Sequence, residues 1–213
     1  MDNTQPCSAK GNMLNQRPEQ EMIAPEKSLK EWLQFEMLLS EMSAKFINLP
    51  AERITSEIRN CQRSICEHLD IDRSTLWQAP EEESGMLLTH IHQPPGSLPP
   101  VEPMNAGDFF PWSVQKILSG ETVVISKLTD LPPEASRDRE TYRLYSTNSN
   151  VLVPLSVGGG PIFGLLTFSV MRDEKNWPGT VVVWFELIAQ VFANALARKK
   201  TEAQLQEQLR EID

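Results

Sequence analysis

The sequence predicts an α+β domain, with helices segregated around a largely antiparallel sheet. Three observations carry this expectation. Apolar residues at alternating spacings of three and four mark amphipathic helices towards both ends of the chain. Between them lie short runs with strand character, set apart by Gly, Pro and acidic turns. The length, 213 residues with 40% apolar content, suits one domain of roughly 100–200 residues plus extensions.

Residues 1–27 are polar and irregular and read as a mobile tail. They hold no apolar core segment, so a secretory signal is not expected there. The first helix is expected from Ser28, which forms a capping-box signature with Glu31. Behind it Trp32, Phe35, Leu39, Met42, Phe46 and Leu49 make a helical stripe, and Leu33, Met37 and Leu38 widen it. A stripe this wide suits a helix that packs on two sides, its own domain and a partner. A second helix follows Pro50, with Ile54, Ile58, Cys61, Ile65 and Leu69 as its buried face.

Strands are expected at 74–78 and 86–92, joined by the acidic turn 80–85. The proline-rich stretch 93–103 cannot supply a regular ladder. Residues 111–119 read as a short helix with Pro111 at its start and Gly120 just past its end. A strand at 122–127 and a helix at 135–145 come next, the latter with Arg137, Asp138, Arg139 and Glu140 on its wet side. Residues 151–171 carry no charge, but Pro154, Gly158, Gly159, Gly160 and Pro161 interrupt them. That pattern predicts two strands with a glycine turn rather than a membrane span. The last helix begins near Thr180, with Glu186, Gln190 and Asn194 as a polar stripe. Its far end continues a heptad seam through Leu205, Leu209 and Ile212. Those side chains need a partner helix, unless the end is a frayed tail. The domain plan is therefore a tail at 1–27, a folded unit at 28–200 and a helical extension at 201–213.

The net charge of −9 argues against direct nucleic-acid binding. Three cysteines, Cys7, Cys61 and Cys66, are too few and too irregular for a disulfide framework and point to a reducing, cytoplasmic setting. His90 and His92 share one strand face, but no third ligand accompanies them, so no metal is expected. Arg198, Lys199 and Lys200 read as a solvated helix face.

Six stretches resemble the GAF family. They are FEMLLSEMSA at 35–44 with LP at 49–50, DRSTLW at 72–77, FPW at 110–112, RDRET at 137–141, PLSVGGG at 154–160 and FANALARK at 192–199. The resemblance covers roughly residues 30–200. It is strongest to GAF modules at the head of bacterial signalling proteins, where the last helix runs on towards a histidine kinase or an enhancer-binding transcription activator. It implies a six-stranded antiparallel sheet. One face would carry the first, second and last helices, and the other the short helices and a ligand pocket.

On that fold the pocket candidates are aromatic: Phe109, Phe110 and Trp112 at the short helix, and Tyr142 and Tyr145 on the facing element. His90 and Asn150 are candidates for polar contacts. The alternative for all of them is plain core packing. The resemblance implies a sensory, non-catalytic module that relays ligand binding through a dimer formed by Trp32, Phe35, Leu39, Leu205, Leu209 and Ile212. It names neither ligand nor cofactor. A redox enzyme like free methionine sulfoxide reductase would need a pocket cysteine, as would bilin attachment. Cys61 and Cys66 fall on the second helix, across the sheet from the pocket in the family fold. The cyclic-nucleotide N-K-F-D-E signature is absent. A ligandless dimerisation module is the remaining alternative.

Overall fold

Hydrophobic periodicity at the N-terminal side becomes two long helices in the computed structural model, which describes residues 20–80 and 85–212, with side chains over 29–80 and 85–210. Helix α1 spans Gln20–Asn48 and α2 spans Ala51–Leu69. Strands β1 (Arg73–Gln78) and β2 (Leu87–His92) follow, then short helices α3 (Ala106–Phe109) and α4 (Pro111–Leu118). Strand β3 (Val123–Ile125), helix α5 (Ser136–Leu144), strands β4 (Ser149–Leu155) and β5 (Gly164–Val170), and helix α6 (Gly179–Ile212) complete the order. The chain divides into units 1–34 and 35–213, and the sheet and the helices packed on it belong to the second.

Helix α1 begins eight residues before the expected Ser28 start, so Ser28 lies inside the helix. Gln20, Glu21, Met22 and Ala24 are good helix formers and carry the helix past a capping signature that is only local. The rest of the expected tail, residues 1–19, lies outside the described residues.

The sheet is antiparallel in the order β2-β1-β5-β4-β3. Among the described residues it has five strands, not the six that the resemblance implies. The segment where a sixth could pair with β2 makes a single bridge, Leu87 opposite Asn105. Pro94, Pro95, Pro99, Pro100 and Pro103 lack the N–H donors that a ladder needs. Gly158 and Gly159 both take positive φ in the turn between β4 and β5. Gly164 lets β5 approach β1 closely, since a Cβ there would collide with the Trp77 carbonyl oxygen.

Strand alternation divides the core in two. Leu76, Val151, Val153, Leu155, Leu166, Phe168 and Val170 pack with side chains of α1, α2 and α6. Trp77, Val123, Ile125, Leu152 and Leu165 pack with α3, α4 and α5. Phe185 stacks on Phe168 at 4.1 Å, and Phe46 meets Phe192 edge-on at 5.7 Å. Helix α6 is the one helix among the described residues long and apolar enough to cross a bilayer; Phe185, Ile188 and Phe192 in it are buried in the core, while Val183 and Leu187 are exposed.

Charged positions expected on solvated faces differ, Arg198 and Asp138 among them. Arg198 is not merely solvated: its guanidinium donates to the carbonyls of Phe46, Ile47 and Leu49, satisfying the end of α1. Asp138 is fully buried rather than on a wet face. Helix α4 starts on Phe110, which offers no side-chain cap, so its first N–H groups need an outside acceptor. Asp138 of α5 supplies it, accepting from Trp112 N at 3.1 Å and Ser113 N at 2.8 Å. Thr141 Oγ1 adds a bond to Phe109 O at 2.8 Å, which fixes α5 against α3.

Candidate functional site

Docked in this way, α4 and α5 stand off the sheet and leave a cavity of about 60 Å³ between them and β1, β5 and β4. Strand alternation selects its floor: Arg73, Thr75 and Trp77 from β1, Leu165, Thr167 and Ser169 from β5, and Asn150 and Leu152 from β4. Phe110, Ser113 and Val114 descend from α4, and Tyr142 and Tyr145 from α5. Gln93, Leu98 and Pro100 bring the proline-rich loop to one edge.

A row of polar groups runs through this otherwise apolar space. Thr75 and Thr167 share a hydrogen bond of 2.5 Å, and Trp77 Nε1 donates to Thr75 Oγ1 at 2.7 Å. Ser169 Oγ donates to Asn150 Oδ1 at 3.0 Å. The Tyr142 hydroxyl bonds to Ser113 Oγ at 3.2 Å and to the Asn150 side chain, and complete burial pushes its phenol up. Arg73 closes one end. Its Nε donates to Gln93 Oε1 at 3.1 Å, and its Nη1 to Tyr145 O and Thr147 Oγ1 at 3.1 and 3.2 Å. The aromatic end is Trp77 edge-on to Phe110 at 6.1 Å, with Tyr142 4.9 Å beyond.

The expected site residues divide. Tyr142, Tyr145 and Asn150 line the cavity, with Phe110. Phe109 and Trp112 do not: they are partly buried beside the second core cluster. Helical phase explains Trp112, because Ser113 and Ile117 take the inward face of α4 and Trp112 points about 100° away. Phe109 lies instead under the Arg137 guanidinium, 5.8 Å from its ring.

His90 is on the wrong side of the sheet. A bulge between Leu76 and Trp77 in the β1–β2 register leaves Thr89 unpaired, so Leu88 and Ile91 face the cavity. His90 pairs with Leu76 and His92 with Ser74, which places both on the α2 side. There burial, with Arg59 and Lys199 nearby, pulls the His90 imidazole down to about 4. Among the described residues no group of His, Cys, Asp and Glu could hold a metal.

Cys61 and Cys66 are free and buried in α2. Burial pushes both thiols up to about 12, so neither carries reactive thiolate. Cys7 lies outside the described residues.

Of the residues assigned to a dimer, Phe35 is core: it is 3% exposed and stacks on Trp184 at 4.5 Å. Leu39 is partly buried against the first cluster. Trp32, Leu205 and Leu209 are exposed, and the side chain of Ile212 lies outside the described residues.

Arg73, Thr75, Trp77, Ser113, Thr167 and Ser169 were not among the expected contacts. The signal available was alternation: Arg73, Thr75 and Trp77 in β1 and Thr167 and Ser169 in β5 recur at every second position, which puts each set on one face.

An antiparallel sheet with a cavity held between its open face and two short helices is the arrangement that the family resemblance implies. The chain belongs to the GAF domain family, whose model matches residues 55–196. Solved structures agree on the fold. The phycocyanobilin-bound GAF domain of a cyanobacterial phytochrome is 16% identical, with a TM-score of 0.64 over 79% of this chain and 96% of that one. Its phycoerythrobilin-bound counterpart gives 0.64 and 16% over 80% and 98%. Free methionine-R-sulfoxide reductase from Neisseria meningitidis, in complex with its substrate, gives 0.59 and 13% over 79% and 91%. No curated protein matches the chain in sequence.

Proposed function

We propose that the chain is a cytoplasmic sensory module of a bacterial signal-transduction protein, one that binds a small molecule and relays occupancy through α6. The observation that carries this reading is the polar row inside the cavity. A face that served only for packing would be mostly hydrocarbon, as the stretch Leu166, Phe168 and Val170 on the opposite face of β5 is. The relay has a short path. Strand β4 contributes Asn150 and Leu152 to the cavity and Val151 and Val153 to the core cluster that α6 closes. A ligand shifts such a system only if it binds two arrangements with different affinity.

The exposed Leu205 and Leu209, at 56% and 57%, support a homodimer in which two α6 helices cover each other, with Trp32 on α1 as a further contact. A histidine kinase or transcription activator driven by α6 fits the same picture.

The occupant is smaller than a bilin. A cavity of about 60 Å³ falls well below the ~300–1,000 Å³ of ordinary ligand sites. The bilin-bound neighbours therefore support the sensory class and not their own ligand. A thiol redox enzyme draws support from the Neisseria neighbour alone, since both described cysteines sit in α2 with protonated thiols.

Hydrogen exchange tests the reading. Screened against small metabolites, at least one should raise the melting midpoint and change protection along α6. Stabilisation without any change in α6 would leave a binding domain without a relay, and no stabilisation by any compound would favour a ligandless dimerisation module.

A further inference from the structure

Among the described residues Arg73 is the one cation lining the cavity, and no Asp or Glu lines it. The residue is 5% exposed, yet its Nη2 has no hydrogen-bond partner. Its chain neighbour Asp72 is committed elsewhere: it pairs with Arg172 Nε at 2.8 Å and accepts from Met171 N at 2.7 Å. Among the described residues Arg73 has no ion pair. The three bonds it does make, to Gln93, Tyr145 O and Thr147, fix the guanidinium's direction without neutralising it.

A buried charge without a counter-ion is costly, and an anion in the cavity would lower that cost. Burial opposes the charged form of Arg73, while Tyr145, whose ring lies 5.9 Å from the guanidinium, and the neighbouring Asp72 favour it. Four residues along β1, about 13 Å away, the cavity ends on Trp77, with Phe110 and Leu165 beside it. One end of the space is cationic and the other aromatic and aliphatic.

We infer that the cavity takes a short-chain monocarboxylate, its carboxylate at the Arg73 end and its hydrocarbon part pointing along β1 in the direction of Trp77. This rests on the sensory reading and gives its ligand a chemical class. Size sets the chain length. A cavity of about 60 Å³ is small against the ~300–1,000 Å³ of ordinary ligand sites, which favours acids of the acetate-to-butyrate range over longer ones. Gln93 links the site to its edge, since it accepts from Arg73 Nε and donates to Leu98 O at 3.5 Å within the proline-rich loop.

The test compares butyrate with butyramide, which match in shape and differ in charge, on the full 213-residue chain by calorimetric titration and melting midpoint. Butyrate should bind and raise the midpoint, and butyramide should bind at least tenfold more weakly. Arg73→Met should weaken butyrate by roughly 10–100-fold and abolish the acid–amide difference. Arg73→Lys should retain part of it. Circular dichroism establishes that the variants fold, and if Arg73→Met does not, the acid–amide pair on the unmodified chain decides alone. Equal binding of acid and amide, or undiminished butyrate binding by folded Arg73→Met, overturns the carboxylate inference while leaving a small-molecule sensor standing. No butyrate binding at millimolar concentration also overturns it. A neutral hit in the metabolite screen would then keep the sensory reading, and no hit at all would remove both.

Discussion

The two faces of strand β5 are built to different ends. Towards α6 it presents Leu166, Phe168 and Val170, all hydrocarbon and at most 4% exposed. Towards α4 and α5 it presents Leu165, Thr167 and Ser169, equally buried but leaving space between them and the helices. Burial is the same on both sides, so burial alone does not separate a packed core from a site. What separates them is whether polar side chains are buried where hydrocarbon would pack better, and whether the helices opposite are held off by their own bonds.

Several substitutions sharpen that contrast. Phe168→Ala removes a ring stacked on Phe185 and should cost about 3–5 kcal/mol. Leu165→Ala borders existing space and should cost about 2 kcal/mol. Urea unfolding of both variants measures the gap, and equal costs would show that the two faces are packed alike. Asp138→Ala should cost about 2–3 kcal/mol, because it strands the buried N–H groups of Trp112 and Ser113. Asp138→Asn should cost less, since an amide oxygen still accepts one of those bonds.

Acid should weaken the α2 side through His90. The folded imidazole sits near 4, below its ordinary 6.5, so the unfolded chain binds the proton first as pH falls. Stability is therefore full above about pH 6.5 and declines towards pH 4, by on the order of 2–3 kcal/mol. Denaturation midpoints across that range should show the slope in the native chain and a shallower one in His90→Gln. The smallest effect is expected from Thr167→Val, about 1 kcal/mol, because Thr75 keeps its bond from Trp77 Nε1. That variant should unfold almost as the native chain does while altering any ligand response.

Long periodic elements were legible in the sequence and the site was legible only in part. Ile54, Ile58, Cys61 and Ile65 announce α2 because a helix repeats its face often enough to be read. Tyr142 and Tyr145 reach the cavity because they lie on one face near the end of a short helix. His90 was misplaced because a single extra residue, Thr89, inverts the strand's faces, and a bulge leaves no periodic trace. Asp138 was misread for a related reason. Its helix looks amphipathic by itself, and the need it meets belongs to α4, whose capless start lies 25 residues earlier in the bond to Ser113. Arg73 fell at the edge of a strand, where a long cationic side chain ordinarily reaches solvent.

The Arg198 guanidinium, bonded to the last carbonyls of α1, restricts how α6 can move. Sliding α6 lengthwise by one turn, about 5.4 Å, would break all these bonds together. The two rods are thus tied at one point, and lengthwise travel of one past the other has to break that tie first.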